Sequence, residues 1–152
     1  MPSIKLAIEE GQIMQCELCA EQLAGTVFEN EELRVILVDD AKFPGFCRVI
    51  WRAHVKEMSD LSAAQRGRFM DVVYAVESVQ KTVLCPDKIN LASLGNVVPH
   101  LHWHVIPRYV DDAFFPQPIW GQEQRDASLV TAQRAALLPE FSLALQTALK
   151  QI

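Results

Sequence analysis

The segment Asn90–Arg108, NLASLGNVVPHLHWHVIPR, contains three of the four histidines of this 152-residue chain. His100, His102 and His104 occupy every second position and alternate with a leucine, a tryptophan and a valine. Successive side chains of a β-strand point to opposite faces, so we expect three imidazoles on one face and apolar side chains on the other. Imidazole can transfer protons, attack electrophiles and ligate metals near neutral pH. The pattern therefore predicts a strand with a chemical site on one face.

The composition fits one domain and argues against several classes of protein. The chain has 152 residues, half of them apolar, which suffices for one well-formed core, and we expect a single domain over residues 1–152. The formal net charge of −5 argues against binding of nucleic acid polymers, because coating phosphates needs a basic surface. No apolar run is long enough to cross a bilayer, and Glu9 and Glu10 interrupt the region where a secretory signal would stay apolar. We therefore expect a cytoplasmic protein that does not bind membranes.

Strands are predicted where β-branched and aromatic residues cluster between turn signals. Ahead of the histidine strand, such runs occupy residues 26–29, 33–38, 46–51 and 88–94. A two- to five-residue turn at Gly95 and Asn96 would make the last two strands an antiparallel hairpin. Asn90 would then share a face with the histidines.

Helices are predicted in three places. Residues 1–24 favour a helix or turn. Ser62 and Gln65 have the spacing of a capping box, and the apolar stripe after them predicts one long helix over 62–83. Residues 109–121 are rich in proline and aromatics and predict an ordered loop, and two helical segments divided by Pro139 are predicted over 127–151. Together these patterns predict an α+β domain with an antiparallel sheet.

The histidine strand resembles the histidine-triad (HIT) motif, His-φ-His-φ-His-φ-φ, where φ is a hydrophobic residue. His100-Leu-His102-Trp-His104-Val-Ile matches it at seven positions. The resemblance covers most of residues 16–108, which form the core around the motif. The loop and helical tail of residues 109–152 resemble those of a subset of bacterial members. It implies the HIT fold, with an antiparallel sheet of about five strands, one long helix packed on it and C-terminal helical segments.

The resemblance also implies an activity, namely hydrolysis or transfer at the α-phosphate of a nucleotide. His102 would form a covalent nucleotidyl-histidine that water then resolves, and two displacements through a neutral imidazole replace one difficult hydrolysis. The substrate would be a dinucleoside polyphosphate, as in the bacterial diadenosine-polyphosphate-hydrolase branch, or a nucleoside phosphoramidate. The alternative is a non-catalytic nucleotide-binding or sensing module on the same fold. Members are commonly homodimers.

Other members of the predicted site would bind phosphate and ribose. His104 would donate a hydrogen bond to a phosphoryl oxygen or the leaving group, and Asn90 and the backbone around Gly95 and Asn96 would donate to the same phosphate. Many family members have glutamine followed by serine or threonine where this chain has asparagine followed by valine, so one hydroxyl donor is missing.

A ribose-binding acid is implied shortly after the second strand. By the family match it is Asp40 or its neighbour Asp39. The spacing from there to His54 is one residue shorter than in the family, and both aspartates could instead be turn formers.

The resemblance further implies a structural zinc site and no organic cofactor. The ligands would be Cys16, Cys19, His54 and His100, a Cys₂His₂ set of the kind that tetrahedral zinc prefers. Two ordinary reduced thiols are the alternative for the Cys-x-x-Cys pair. A third hypothesis takes all the histidines as ligands of a redox or hydrolytic metal.

Overall fold

The computed structural model describes residues 16–152. Most of the segment for which a helix or turn is predicted, 1–24, lies outside the described residues. Its described part contains a single 3₁₀ turn at Glu17–Cys19.

Within residues 16–152, five strands form one antiparallel sheet. The strands are β1 (Thr26–Glu29), β2 (Leu33–Leu37), β3 (Cys47–Trp51), β4 (Lys88–Ala92) and β5 (His102–Arg108). Their order in the sheet is β1-β2-β3-β5-β4. The predicted α+β fold with about five strands is confirmed.

Both long helices pack on the same face of this sheet. Helix α1 (Ala63–Val79) buries Phe69 and Val73, and helix α3 (Leu138–Leu149) buries Phe141. They share one apolar core with Val105 of β5 and with the inward residues of β2 and β3. Because side chains alternate along β5, burial of Val105 on this face places His102 and His104 on the opposite face, which the helices leave uncovered.

The long helix begins as predicted and ends slightly earlier. The backbone N–H of Gln65 donates to Ser62 Oγ at 3.2 Å, and the N–H of Ser62 donates to Gln65 Oε1 at 2.9 Å, which confirms the capping box. After Val79 the chain continues as a wider π-helical turn, Gln80–Leu84. The buried amide of Gln80 donates there to the carbonyls of Gly45 and Val105, each at 2.9 Å, and so ties the turn to the sheet.

The C-terminal region contains two helical segments, as predicted. Helix α2 spans Ser128–Ala135, and α3 begins at Leu138. Pro139 lies in the first turn of α3, where its missing N–H costs no hydrogen bond. The break between α2 and α3 therefore precedes Pro139. Among the described residues, every helix falls short of the length and hydrophobicity that a membrane span requires.

The predicted two- to five-residue turn between β4 and β5 is wrong. Strand β4 ends at Ala92, and nine residues, 93–101, connect it to β5. The backbone of Leu101 bonds instead to the chain after β3, with its N–H donating to the Val55 carbonyl at 2.7 Å and its carbonyl accepting from the Trp51 N–H at 3.1 Å. His100 therefore precedes the strand rather than lying on it, which separates it from the other two histidines.

Candidate functional site

His102, the second residue of the triad, is held in one tautomer by a backbone carbonyl. Its Nδ1–H donates to the His100 carbonyl oxygen at 2.6 Å, so Nε2 carries the free lone pair. The side chain is almost fully buried at the wall of a pocket. Burial, and to a smaller extent the charge of Arg48, lowers the pKa of His102, so the ring is neutral near pH 7. A neutral imidazole with one free nitrogen is the form that can attack phosphorus.

His104 lies beside His102 and is enclosed by aromatic rings. Its ring centroid is 5.0 Å from that of His102, 5.4 Å from Phe46 and 5.5 Å from Trp120. Its buried Nδ1 has no hydrogen-bond partner within the described part of the chain. Burial, followed by the charges of His102 and Arg48, lowers the pKa of His104 to about 4. His104 is therefore a neutral hydrogen-bonding group at physiological pH.

The pocket in front of these two histidines has a volume of about 400 Å³. Its walls come from the turn at Glu17, from residues 94–98 before the triad, from β3 and from the loop that follows β5. Gly95 has φ +111°, a conformation that L side chains rarely adopt, and a Cβ there would lie 3.2 Å from the Val98 carbonyl oxygen. The glycine thus lets the 94–98 segment turn close to His102. Gly95 and Asn96 both line the pocket beside the histidines, and their role as phosphate donors stays a prediction.

Asn90 lies on the histidine face but outside the lining of this pocket. It is the register partner of Ile106 in β5, and Ala92 is the partner of His104. Its side-chain oxygen accepts a hydrogen bond from Arg108 Nη1 at 2.9 Å, which orients the amide. Its role as a phosphate donor stays a prediction.

Asp39 and Asp40 are not among the residues that line the pocket. The Asp40 carboxylate accepts the Lys42 N–H at 2.9 Å, the geometry of a local Asx turn. Asp39 is exposed. A ribose contact by either residue stays a prediction.

Arg48 and Trp120 line the pocket but were not among the site residues predicted from the sequence. Arg48 of β3 is the register partner of His104, and Trp120 packs edge-on against the His104 ring at an interplanar angle of 83°. The signal for Arg48 is a single charge in the run FCRVIW, and it becomes informative only once the pairing of β3 with β5 is known.

The four residues of the implied metal site lie together at one end of the sheet. The ligand atoms of Cys16, Cys19, His54 and His100 all lie within 4.8 Å of one another. His100 Nδ1 is 3.4 Å from each sulfur and 3.2 Å from His54 Nδ1, and Cys19 Sγ is 3.2 Å from His54 Nδ1. Burial, then the hydrogen bond with Cys16, raises the pKa of Cys19 to about 11.

This donor set fits a tetrahedral ion such as zinc. Bonds of about 2.3 Å to sulfur and about 2.0–2.1 Å to nitrogen require ligand atoms roughly 3.3–3.8 Å apart, close to the separations observed. His100 Nε2–H donates to the Trp51 carbonyl at 2.5 Å, which leaves Nδ1 unprotonated and directed at the sulfurs. His100 therefore belongs to this cluster by its side chain and to the His102 site by its carbonyl.

A known protein family matches the segment that contains the sheet and the histidine pair. The HIT domain pattern matches residues 20–111, more than half of the chain. The chain therefore belongs to the HIT domain family.

Solved structures of histidine-triad proteins resemble it along most of its length. One from Bradyrhizobium japonicum is 32% identical, with a TM-score of 0.61 over 76% of this chain and 89% of that one. One from Marinobacter aquaeolei VT8 is 28% identical, with a TM-score of 0.60 over 76% and 89% of the two chains. A third, from Sinorhizobium meliloti 1021, is 25% identical, with a TM-score of 0.60 over 76% and 87%. No curated protein shows a significant match.

Proposed function

We propose that this protein is a nucleotide hydrolase or nucleotidyl transferase of the diadenosine-polyphosphate-hydrolase-like branch of its family. It would act at the α-phosphate of a dinucleoside polyphosphate or a nucleoside phosphoramidate. The observation that carries the proposal is the hydrogen bond from His102 Nδ1–H to the His100 carbonyl, because it leaves Nε2 free at the wall of a pocket.

The first step would be attack of His102 Nε2 on the α-phosphorus. The Nε2–P bond forms as the bond to the leaving group breaks, and positive charge develops on the imidazole. The His100 carbonyl accepts the Nδ1–H and stabilises that charge. In the second step water attacks phosphorus and releases a proton to solvent, and the electron pair of the N–P bond returns to Nε2. A nucleoside monophosphate leaves and the neutral ring is restored.

His104 would assist as a hydrogen-bond donor rather than as an acid. With a pKa of about 4 it holds one ring proton at neutral pH, which it can direct at a phosphoryl oxygen or the leaving atom. Asn90 and the backbone at Gly95 and Asn96 would add neutral donors to the same phosphate. Asp40 or Asp39 would accept hydrogen bonds from the ribose.

Zinc would be held by Cys16, Cys19, His54 and His100, and when bound it would supply a structural cross-link. The site would fix the ring of His100, whose carbonyl selects the tautomer of His102. The metal and the nucleophile would thus be coupled through one residue, and no organic cofactor is proposed.

The proposal is tested by comparing the wild type with His102→Ala on both substrate classes. Release of nucleoside monophosphate is followed by chromatography, and circular dichroism and zinc content show whether the variant folds. We expect the variant to lose turnover by at least about a thousandfold and to keep its fold and metal. Normal turnover by the variant would contradict the proposal. Tight nucleotide binding without any turnover by the wild type would favour the non-catalytic sensing module.

We also propose that the whole chain forms one cytoplasmic domain that assembles as a homodimer, as members of its family commonly do. Large apolar side chains that are exposed on the single chain, such as Tyr74 and Leu143, are compatible with an interface. Sedimentation equilibrium at micromolar concentration would give the mass of a dimer, and a monomer mass would contradict this assembly.

A further inference from the structure

Arg48 places a positive charge on the histidine face of the sheet. It is the register partner of His104 across β3 and β5, and directly opposed residues share a face. The side chain is half-buried and lines the same pocket as His102 and His104. Arg48 is the single lysine or arginine among the described residues that line this pocket.

Arg48 forms no ion pair within the described part of the chain, although Glu17 lines the same pocket. No carboxylate there lies within 4.0 Å of its guanidinium, and its buried Nε has no hydrogen-bond partner. The guanidinium lies 5.7 Å from the Phe46 ring centroid. By contrast, buried Arg108 forms an ion pair with Asp112 at 2.7 Å. A partly desolvated guanidinium without an anion is costly, so its position favours an anionic ligand.

Arg48 is displaced along the strands from the nucleophile His102. The register partner of the nucleophile His102 is Ile50, and Arg48 lies two register pairs further along the strands, opposite His104. The α-phosphate must contact His102 Nε2, and the nucleoside carries no charge. The remaining charge of a nucleotide substrate lies in the phosphates of its leaving group.

We propose that Arg48 binds the leaving-group phosphate, so that the substrates of this protein are phosphoanhydrides, of the dinucleoside or nucleoside polyphosphate class, rather than phosphoramidates. This inference rests on the proposed function. The bond from Nε2 of His102 to the α-phosphorus forms while the bridging P–O bond breaks. The departing oxygen keeps the electron pair as a phosphate anion, which the guanidinium neutralises without proton transfer.

The state of His104 agrees with this choice of leaving group. An amine released from a phosphoramidate must take up a proton, whereas a phosphate can leave as an anion. With a pKa of about 4, His104 is a weak source of protons near pH 7. The site is therefore better suited to an anionic leaving group.

A binding experiment tests the role of Arg48 without requiring turnover. Calorimetry measures the affinities of AMP and of α,β-methylene-ATP, in which a methylene group replaces the bridging oxygen. We expect the wild type to bind the analogue at least about tenfold more tightly than AMP. Arg48→Met should remove most of that ratio, since it loses the charge-assisted hydrogen bonds to the leaving-group phosphate. Arg48→Lys keeps the charge and should retain part of the ratio.

Arg68→Met is the matched control for loss of one positive charge. Arg68 is exposed on α1, where it pairs with Glu32, and this variant should keep the wild-type ratio. An equal loss of affinity for both ligands in Arg48→Met would mean that Arg48 binds the shared AMP half, and an unchanged ratio would mean that it binds neither. Either result overturns the inference. If Arg48→Met does not fold, the wild type still tests the inference, because equal affinities of the wild type for AMP and for the analogue would overturn it.

Turnover separates this inference from the proposed function. In Arg48→Met the ratio of kcat/KM for diadenosine tetraphosphate to that for adenosine 5′-phosphoramidate should fall about 10- to 100-fold. An unchanged ratio in an active variant contradicts the inference while the proposed function stands. Absence of turnover by the wild type on both substrates refutes the proposed function, and the binding ratio still reports on Arg48.

Discussion

His104 shows how the properties of one residue depend on its neighbours. Its ring lies between Phe46 and Trp120, and burial is the main reason why its pKa falls to about 4. The charged or titratable groups around it are His102 on its own strand, Arg48 on β3 and Glu17 on the pocket wall. Trp120 is itself 57% exposed, so its indole covers His104 from the solvent side. Removal of this cover should hydrate the imidazole.

Trp120→Ala should therefore raise the pKa of His104 from about 4 toward its ordinary value. In the wild type the His104 imidazole takes up a proton near pH 6.5 in the unfolded chain and near pH 4 in the folded chain. His104 therefore reduces the free energy of unfolding as pH falls from 6.5 to about 4, and it has no effect on stability above that interval. In Trp120→Ala the pH interval over which His104 affects stability should be narrower, because the pKa of His104 in the folded chain lies closer to its value in the unfolded chain. NMR titration of the imidazole gives the pKa, with Val110→Ala, at an exposed residue outside the pocket, as the control. An unchanged pKa in Trp120→Ala would show that the indole does not control the hydration of His104.

At the scale of elements, the loop after β5 is fixed by a buried ion pair. Arg108 bonds to Asp112 through Nε at 2.7 Å and Nη2 at 3.1 Å, and to the Gln117 carbonyl at 2.7 Å. The same guanidinium also donates a hydrogen bond to the side-chain oxygen of Asn90. The carboxylate of Asp112 also accepts backbone N–H groups of the loop, including that of Phe114 at 2.9 Å. Strand β4, strand β5 and the loop that carries Trp120 are thus joined at one point.

Arg108→Met should destabilise the protein by about 3–5 kcal/mol, because it leaves a buried carboxylate without its cation. Arg108→Met combined with Asp112→Leu removes both charges and should cost less than the sum of the two single changes. Chemical denaturation measures each free energy of unfolding. Strictly additive costs would contradict the view that the two residues act as one anchor.

The strands also show why parts of the site were predictable and others were not. The alternation of residues along β5 correctly placed His102 and His104 on one face, since that depends on local geometry alone. The same alternation wrongly predicted that His100 lies on this strand. The strand starts at His102, because the N–H of Leu101 donates to the Val55 carbonyl instead of pairing in the sheet. Arg48 was missed because its neighbour His104 lies on another strand. Such contacts depend on tertiary pairing.

At the scale of the whole molecule, the Cys/His cluster joins three distant parts of the chain. Cys16 precedes the first turn and Cys19 ends it, His54 follows β3, and His100 precedes β5 by two residues. The family resemblance predicted this set, and the structure brings its ligand atoms together. The zinc itself and the domain bounds of 1–152 stay predictions.

Metal removal should lower the thermal stability of the whole protein. Purified protein should release about one zinc ion per chain to a strong chelator, with a clear fall in the unfolding temperature, since structural zinc contributes directly to folding. Cys19→Ser should lose the metal and behave like the chelated wild type. His102→Ala should keep the metal, because His102 is not a ligand. A metal-free protein whose unfolding temperature is unaffected by zinc or chelator would contradict the structural site.

The most direct test of the account is to look for a covalent nucleotide on His102. Protein is mixed with diadenosine tetraphosphate labelled at its α-phosphates and quenched in alkaline denaturant, where a phosphoramidate bond to histidine survives. We expect label on the wild-type chain that is lost in acid and is absent from His102→Ala. Equal labelling of the variant, or a wild type that neither takes up label nor releases a nucleoside monophosphate, would contradict covalent catalysis through His102.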